Sequence, residues 1–573
     1  MHEDYPMTVR IKRRDFLKKA GRTAAAASLA GSGLLLSGCS SKREYDLVIK
    51  DGLVFDGLGN PGFVTDIGIS GASIKYIGRI SSGRGVRVVD ARGLAVAPGF
   101  IDAHDHTDVQ LLVNPKAESS IHQGITTLIS GNCGSSPFPI ADEIFEDEKE
   151  SLKKQYDLDL TWRDITGFFA KLEERGMALN YATLVGQGAI RGAAMGFNDR
   201  APKPEELEKM KALVAENVKN GALGMSSGLE YTPGSFALAD EIAELCKITA
   251  GLGGVYATHM RDEGDFLIES LDETIGVAKK SGVSLQISHL KVAYPANWHK
   301  IDAALAKIEE AKNEGVDIFC DRYPYIAGAT GLDFNFPLWA RQGTTEEFIA
   351  RLKDPYLDRR LRGYLAEREK KMGSWDKIII SNVLSEKNRV FEGQDVLQAS
   401  KLAGKPPYEF MRDLLIEEKD NVGMIIFLGT EANLKRILAH PLVGIGTDGE
   451  ALAPYGVLGR GKPHPRKYGT FPRVLGKYIR EEKLIKLEEM LKKTTSMPAK
   501  KFGLAKRGIL QNESYADIVV FDPDRVIDRA TWSDPHQYPA GIDYVLVNGQ
   551  VVIEGGAHTG KLPGKILRKT IKA

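Results

Sequence analysis

Two textures of apolar and polar positions divide the chain. From Tyr45 to Val96 the runs are short, alternate between apolar and polar residues, and are punctuated by Gly or Asp. Asp46-Leu47-Val48-Ile49, Asp66-Ile67-Gly68-Ile69 and Ser73-Ile74-Lys75-Tyr76-Ile77-Gly78 read as strands joined by turns. The same texture returns at Ala516-Asp517-Ile518-Val519-Val520-Phe521 and Tyr544-Val545-Leu546-Val547-Asn548-Gly549. The simplest reading is one small β-sandwich built from both ends of the chain.

Between these ends, β-branched apolar runs alternate with helical stretches such as Glu205–Lys219 and Ala239–Gly251. Eight runs read as strands: Gly99–Ala103, Thr126–Ser130, Tyr181–Val185, Leu223–Ser227, Val255–Thr258, Leu285–Ser288, Asp317–Cys320 and Val443–Gly446. Eight such units predict an α/β fold, a (β/α)8 TIM-like barrel. The long gap before the last strand predicts an insertion, and its charged run Glu346–Lys371 reads as a solvated helical face. The expected organisation is a signal segment over 1–38, sandwich over 39–97, barrel strands one to seven over 98–331 and an inserted subdomain or lid over 332–439. Strand eight and its helices follow over 440–507, and the second part of the sandwich with the C-terminal tail over 508–573.

Composition narrows the function. The 573 residues are 43% hydrophobic and 27% charged, with a net charge of +1, which offers no electrostatic field for a nucleic acid partner. The N-terminus reads as an address. Lys12-Arg13-Arg14-Asp15-Phe16-Leu17-Lys18 precedes a mild Ala/Gly-rich apolar stretch that ends in Leu36-Ser37-Gly38-Cys39-Ser40. The Arg13-Arg14 pair resembles a twin-arginine export signal, and Leu-Ser-Gly-Cys resembles a bacterial lipoprotein cleavage box with Cys39 lipidated. Thr23 to Gly38 is too short and Gly-rich to span ~30 Å of hydrocarbon comfortably. The expectation is an exported, periplasmic or cell-envelope lipoprotein. Its partners would be the twin-arginine machinery and, through the lipid anchor alone, a membrane. Of the four cysteines, Cys133, Cys246 and Cys320 then remain, an odd number that argues against a disulfide framework.

The strand ends carry the chemistry. Ile101-Asp102-Ala103-His104-Asp105-His106 closes strand one, and Gly131-Asn132-Cys133-Gly134 strand two. Ala257-Thr258-His259, Ile287-Ser288-His289 and Gly446-Thr447-Asp448-Gly449 close strands five, six and eight. In such a barrel the C-terminal strand ends form the reactive face. Cys246, on a helix, and Cys320, inside a strand, read as core; Cys133, between Gly and Asn, reads as an exposed turn. His104, His106, Cys133, His259, His289 and Asp448 together point to a divalent-metal hydrolase.

This ligand order resembles the amidohydrolase superfamily, beginning with Pro98-Gly99-Phe100-Ile101-Asp102-Ala103-His104-Asp105-His106. Gly131-Asn132-Cys133-Gly134, Gly228-Leu229-Glu230-Tyr231, Thr258-His259-Met260-Arg261 and the stretch from His464 to Leu475 resemble N-acyl-D-amino-acid deacylases (D-aminoacylases). Related hydantoinases and dihydroorotases use a carboxylated lysine on strand four. The segment Ala222-Leu223-Gly224-Met225-Ser226-Ser227 has none, and Cys133 stands where D-aminoacylases have their bridging cysteine. The resemblance implies a tight Zn2+ on Cys133, His259 and His289. It implies a weaker second site on His104 and His106, with Cys133 and Asp448. Asp448 would serve as the acid–base group, and Lys291, Tyr231 and Tyr323 would clamp the carboxylate of a small N-acyl-amino-acid substrate. Arg261, Arg466 and His464 are further candidates. Two readings compete: a dipeptidase or cyclic-amide hydrolase of the same superfamily, and a non-catalytic solute-binding lipoprotein.

Overall fold

The computed structural model describes residues 43–570. Arg13, Arg14 and Cys39, on which the export reading rests, lie outside the described residues. Eight strand positions form the barrel. They are Phe100–Asp102, Ile125–Ser130, Asn180–Thr183 continued by Val185–Gly186, Gly224–Gly228, Val255–His259, Ser284–Ile287, Ile318–Arg322 and Val443–Ile445. All neighbours pair in parallel. Strand four joins strand three through Leu223 N–H to the Thr183 carbonyl at 2.8 Å. The ring closes where Asp448 N–H reaches the His104 carbonyl at 2.8 Å and Asp105 bridges Gly449. The strand residues are nearly all buried, as expected where helices cover a parallel sheet outside and side chains fill it inside.

The chain ends build a second β unit. Tyr45–Val54 is its spine, antiparallel to Phe63–Ser70 and parallel both to Gly85–Asp90 and to Ala95–Pro98. Ala95–Pro98 pairs antiparallel with Ile518–Phe521 from the far end, and Ile542–Val547 and Gln550–Glu554 continue the sheet. Leu47, Ile49, Ile67, Ile69, Ile518, Val520 and Leu546 share its apolar core. Pairing Ala95–Pro98 with Ile518–Phe521 also fixes where strand one enters the barrel, two residues further on.

The insertion has its own core, from Leu332 and Phe336 to Met424 and Ile426. Its antiparallel sheet sets Val422–Phe427 between Ala327–Gly331 and Ile378–Val383. Helices Thr345–Lys353 and Pro355–Met372 cover it, burying Phe348, Leu352, Leu361 and Leu365 and leaving most of their charges in water. The expected limits of 332–439 shift at both ends. The sheet already begins at Ala327, whereas helix Glu431–Ala439 packs Leu434, Ile437 and Leu438 into the barrel core.

Candidate metal centre

Three of the six candidate ligands sit in an unusual backbone conformation just past their strands. Cys133, His289 and Asp448 have φ of 52°, 35° and 49°, the left-handed region that side-chain-bearing residues rarely occupy. The Cys133 turn is pressed onto strand four: a Cβ on Gly228 would lie 2.1 Å from the Cys133 carbonyl oxygen, so only glycine fits there.

Three donor groups result. His104, Cys133 and His289 converge, as do His104, His106 and Asp448, with all donor atoms of each group within 4.8 Å. Cys133 Sγ lies 3.4 Å from His104 Nε2 and 3.5 Å from His289 Nε2. Asp448 Oδ1 lies 3.1 Å from His106 Nε2 and 3.5 Å from His104 Nε2. The third group joins His259 and His289 to Glu263. His259 thus stands at the edge of the constellation: its Nε2 meets Glu230 at 3.0 Å, and its Nδ1 is buried without a hydrogen-bond partner.

Acids behind the ligands hold them. Asp321 accepts from His104 Nδ1 at 3.3 Å, from Gln286 Nε2 at 2.6 Å and from the His289 backbone N–H at 2.9 Å. Glu263 lies 3.0 Å from His289 Nδ1. Carboxylates behind metal-binding imidazoles fix ring orientation and raise basicity. Sequence reasoning missed Glu263 and Asp321 as site residues. Glu263 follows His259 by four positions and Asp321 sits one residue beyond Cys320, spacings that carry no metal signature of their own.

The electrostatics suit a cation. Burial, then the charge of Asp448, pushes the Cys133 thiol well above its ordinary value, so a metal ion is what would draw off its proton. Burial and the neighbouring Lys291 ammonium push His289 down to about 3, leaving the neutral imidazole that a metal requires. Burial raises Asp448, but Arg466 and the surrounding imidazoles outweigh it and hold the carboxylate well below its ordinary value. A thiolate, imidazoles and a carboxylate in two donor groups that share His104, with an orphaned buried imidazole nitrogen beside them, fit zinc.

The remaining candidates separate by place. Lys291, Tyr231, Tyr323 and Arg466 line a cavity of about 800 Å³ together with Cys133, His259, His289 and Asp448. Lys291 Nζ lies 2.5 Å from both Glu263 oxygens and 2.8 Å from His289 Nδ1, so here it braces His289. Tyr231 stands edge-on to His259, with ring centroids 4.9 Å apart. Arg466 lies 2.8 Å from Asp448 Oδ2 and over the Tyr323 ring, and its Nε has no hydrogen-bond partner. Arg261 is spent on Glu273 and on the Ser235 and Ala237 carbonyls, and His464 on the Ala327 carbonyl and the Arg466 N–H. Neither lines the cavity. Cys246 and Cys320 are fully buried.

A parallel barrel with nitrogen, sulfur and carboxylate donors gathered at its C-terminal mouth belongs to the metal-dependent hydrolases. Residues 87–553 match the profile of the Amidohydrolase family, and the chain is a member of that family. It is 35% identical to N-acyl-D-glutamate deacylase of Alcaligenes xylosoxydans xylosoxydans, over 92% of this chain and 97% of that one. Against D-aminoacylase of the same organism it is also 35% identical, over 93% and 99%. The crystal structure of N-acyl-D-glutamate deacylase from Bordetella bronchiseptica, complexed with zinc and a phosphonate mimic of the tetrahedral intermediate, superposes with a TM-score of 0.78. It is 32% identical and covers 92% of this chain and 100% of its own.

Proposed function

We propose that this protein is a zinc-dependent N-acyl-D-amino-acid deacylase. The observation that carries the reading is Cys133, gathered with His104 and His289, where a strand-four lysine is absent. That donor set separates a linear-amide deacylase from the cyclic-amide hydrolases. A solute-binding protein has no use for converging metal donors and a buried carboxylate at a barrel mouth.

The reaction adds water across the amide. The C–N bond breaks, the water oxygen joins the acyl carbon, and its proton passes to the leaving nitrogen, giving a carboxylate and a free D-amino acid. Zinc held by His104, Cys133 and His289 would polarise the amide carbonyl and lower the pKa of water to about 7. Asp448, ionised and aimed into the cavity, accepts the water's proton and returns it to the leaving amine. Arg466 and Tyr323, on one side of the mouth, are the groups that receive the substrate's carboxylate; Lys291 lines the same side and adds its positive charge while it stays held on Glu263 and His289. Tyr231 and His259 pack from strands four and five against the same space.

The test is kcat/KM for matched N-acyl-D- and N-acyl-L-amino acids with the zinc-loaded chain. The D series is expected to be hydrolysed faster, and chelation is expected to abolish turnover until zinc is restored. A preference for L, or turnover unaffected by chelation, overturns the reading.

Export as a lipoprotein belongs to the same proposal. Its support is the Arg13-Arg14 pair and the Leu-Ser-Gly-Cys39 box. Among the described residues no helix is long and apolar enough to cross a membrane. Mass spectrometry of the mature N-terminus is expected to find a lipidated Cys39, and replacement of both arginines by lysine is expected to retain the precursor in the cytoplasm. An unmodified Cys39 refutes the anchor.

A further inference from the structure

An N-acyl-amino acid has two ends on either side of its amide, and the cavity is built differently at each. Lys291, Tyr323 and Arg466 stand at strand six, at strand seven and beyond strand eight. Strands two and three lie across the eight-strand ring from strands six and seven. The segment leaving strand two there supplies Ile140, Ile144, Leu152, Leu160 and Trp162 to the same cavity. Leu160 and Trp162 are buried, and Ile140, Ile144 and Leu152 are half-buried. The indole N–H of Trp162 is taken by the Pro137 carbonyl at 2.9 Å, which leaves this ring only apolar surface to offer. Two acids reach this wall: Glu148 is exposed to solvent, and Asp108 is held by the Ser130 hydroxyl at 2.7 Å and the Tyr181 hydroxyl at 3.2 Å.

The volume makes the same point. Cavities that hold drug-sized ligands span ~300–1,000 Å³, and an N-acetyl amino acid of about a dozen non-hydrogen atoms is a small ligand on that scale. About 800 Å³ leaves room for far more than an acetyl group. With the carboxylate anchored at strands six to eight and the amide at the metal donors, the acyl chain must leave toward strands two and three.

We propose that this wall is an acyl-chain channel, and that the preferred substrates carry medium- or long-chain acyl groups rather than acetyl. The inference rests on the deacylase reading. Each methylene that enters the channel is expected to raise kcat/KM about fourfold until the channel is full. From acetyl to octanoyl the gain is expected to reach at least about a hundredfold.

The experiment compares N-acetyl-, N-butanoyl- and N-octanoyl-D-leucine with the full zinc-loaded chain, in the wild type and in Ile144→Arg and Leu152→Arg. Both substitutions are at half-buried positions and put a charge on the wall. The octanoyl-to-acetyl ratio is expected to be large in the wild type and to fall toward one in the variants, with zinc content and circular dichroism unchanged. Product inhibition of the wild type gives an independent reading that needs no variant: octanoate is expected to inhibit at much lower concentration than acetate. A ratio near or below one in the wild type overturns the channel while leaving the deacylase intact. A large ratio that both folded variants preserve overturns this wall as its source. Failure to hydrolyse any N-acyl-D-amino acid, with zinc bound, overturns the deacylase reading itself.

Discussion

Cys133, His289 and Asp448 pay for their positions in backbone energy: left-handed φ costs a side-chain-bearing residue ~1–2 kcal/mol. Three such residues within one donor cluster mark a place where surrounding packing holds the chain against its own preference. That strain could not be read from the sequence, although the residue types could. Removing the thiolate separates function from packing. Cys133→Ala is expected to lose most bound zinc, whereas Cys246→Ala and Cys320→Ala, at fully buried sites, keep it; elemental analysis of the three proteins decides. Asp448→Asn preserves size and position but cannot serve as a base. A loss in kcat of order 10²–10⁴ is expected, with circular dichroism unchanged; activity within about tenfold of wild type would refute the role. The acids behind the ligands were illegible for a plain reason. Asp321 and Glu263 act through His104, His289 and Lys291, contacts that exist only once the barrel brings strands one, five, six and seven together.

At the scale of elements, strand positions were legible because fully buried parallel strands read as continuous β-branched runs. The limits of the insertion were less so. Ala327-Gly328-Ala329-Thr330-Gly331 is a strand made of small residues, without the apolar signal that marks its partner Val422–Phe427. Within the insertion, one side chain ties a turn to a helix end. Glu418 is buried and accepts from the Leu384 N–H at 2.8 Å, the Ser385 N–H at 2.9 Å, the Ser385 hydroxyl, and Asn388 Nδ2 at 2.5 Å. Burial raises its pKa, but these donors together hold it below the ordinary value of 4.5. A carboxylate with a depressed folded pKa contributes stability that is complete above its unfolded pKa and is lost as pH falls through the folded one. Glu418→Ala is therefore expected to cost about 3 kcal/mol near neutral pH and progressively less in acid below pH 4.5. Denaturation midpoints of both proteins at neutral and acidic pH check this. An equal penalty at both would mean that the charge is not what the turn uses.

At the scale of the whole molecule, the two β-rich segments meet where Ala95–Pro98, just before barrel strand one, pairs with Ile518–Phe521. The sequence signalled both β-rich segments and invited pairing them; what it could not give is the buried polar knot that joins the C-terminal one to strand three. Asp517 accepts from Arg507, from Asn180 Nδ2 at 3.3 Å and from the Asn548 N–H at 2.7 Å. Asn548 Nδ2 donates to Asn180 Oδ1 and to the Pro563 carbonyl, both at 2.8 Å, and Arg507 Nη2 donates to Asn548 Oδ1 at 2.9 Å. All four side chains are buried, so the knot is satisfied only as a unit. Asp517→Ala strands the Arg507 guanidinium without its counter-charge in a dry site, which is expected to destabilise the fold by about 3–5 kcal/mol. Because Asn180 opens strand three and His104 closes strand one at the opposite face, kcat at a temperature where the variant stays folded is expected to match wild type. Arg507→Met together with Asp517→Leu removes both charges and is expected to recover part of the loss, since no buried charge is left unpaired; the Asn548 N–H and Oδ1, which lose their partners, keep the recovery incomplete. Chemical denaturation of the three proteins, with zinc content and kcat measured in parallel, tests the claim. A single variant as stable as wild type, or one that loses zinc while still folded, would show that the knot does not hold the C-terminal segment to strand three independently of the site.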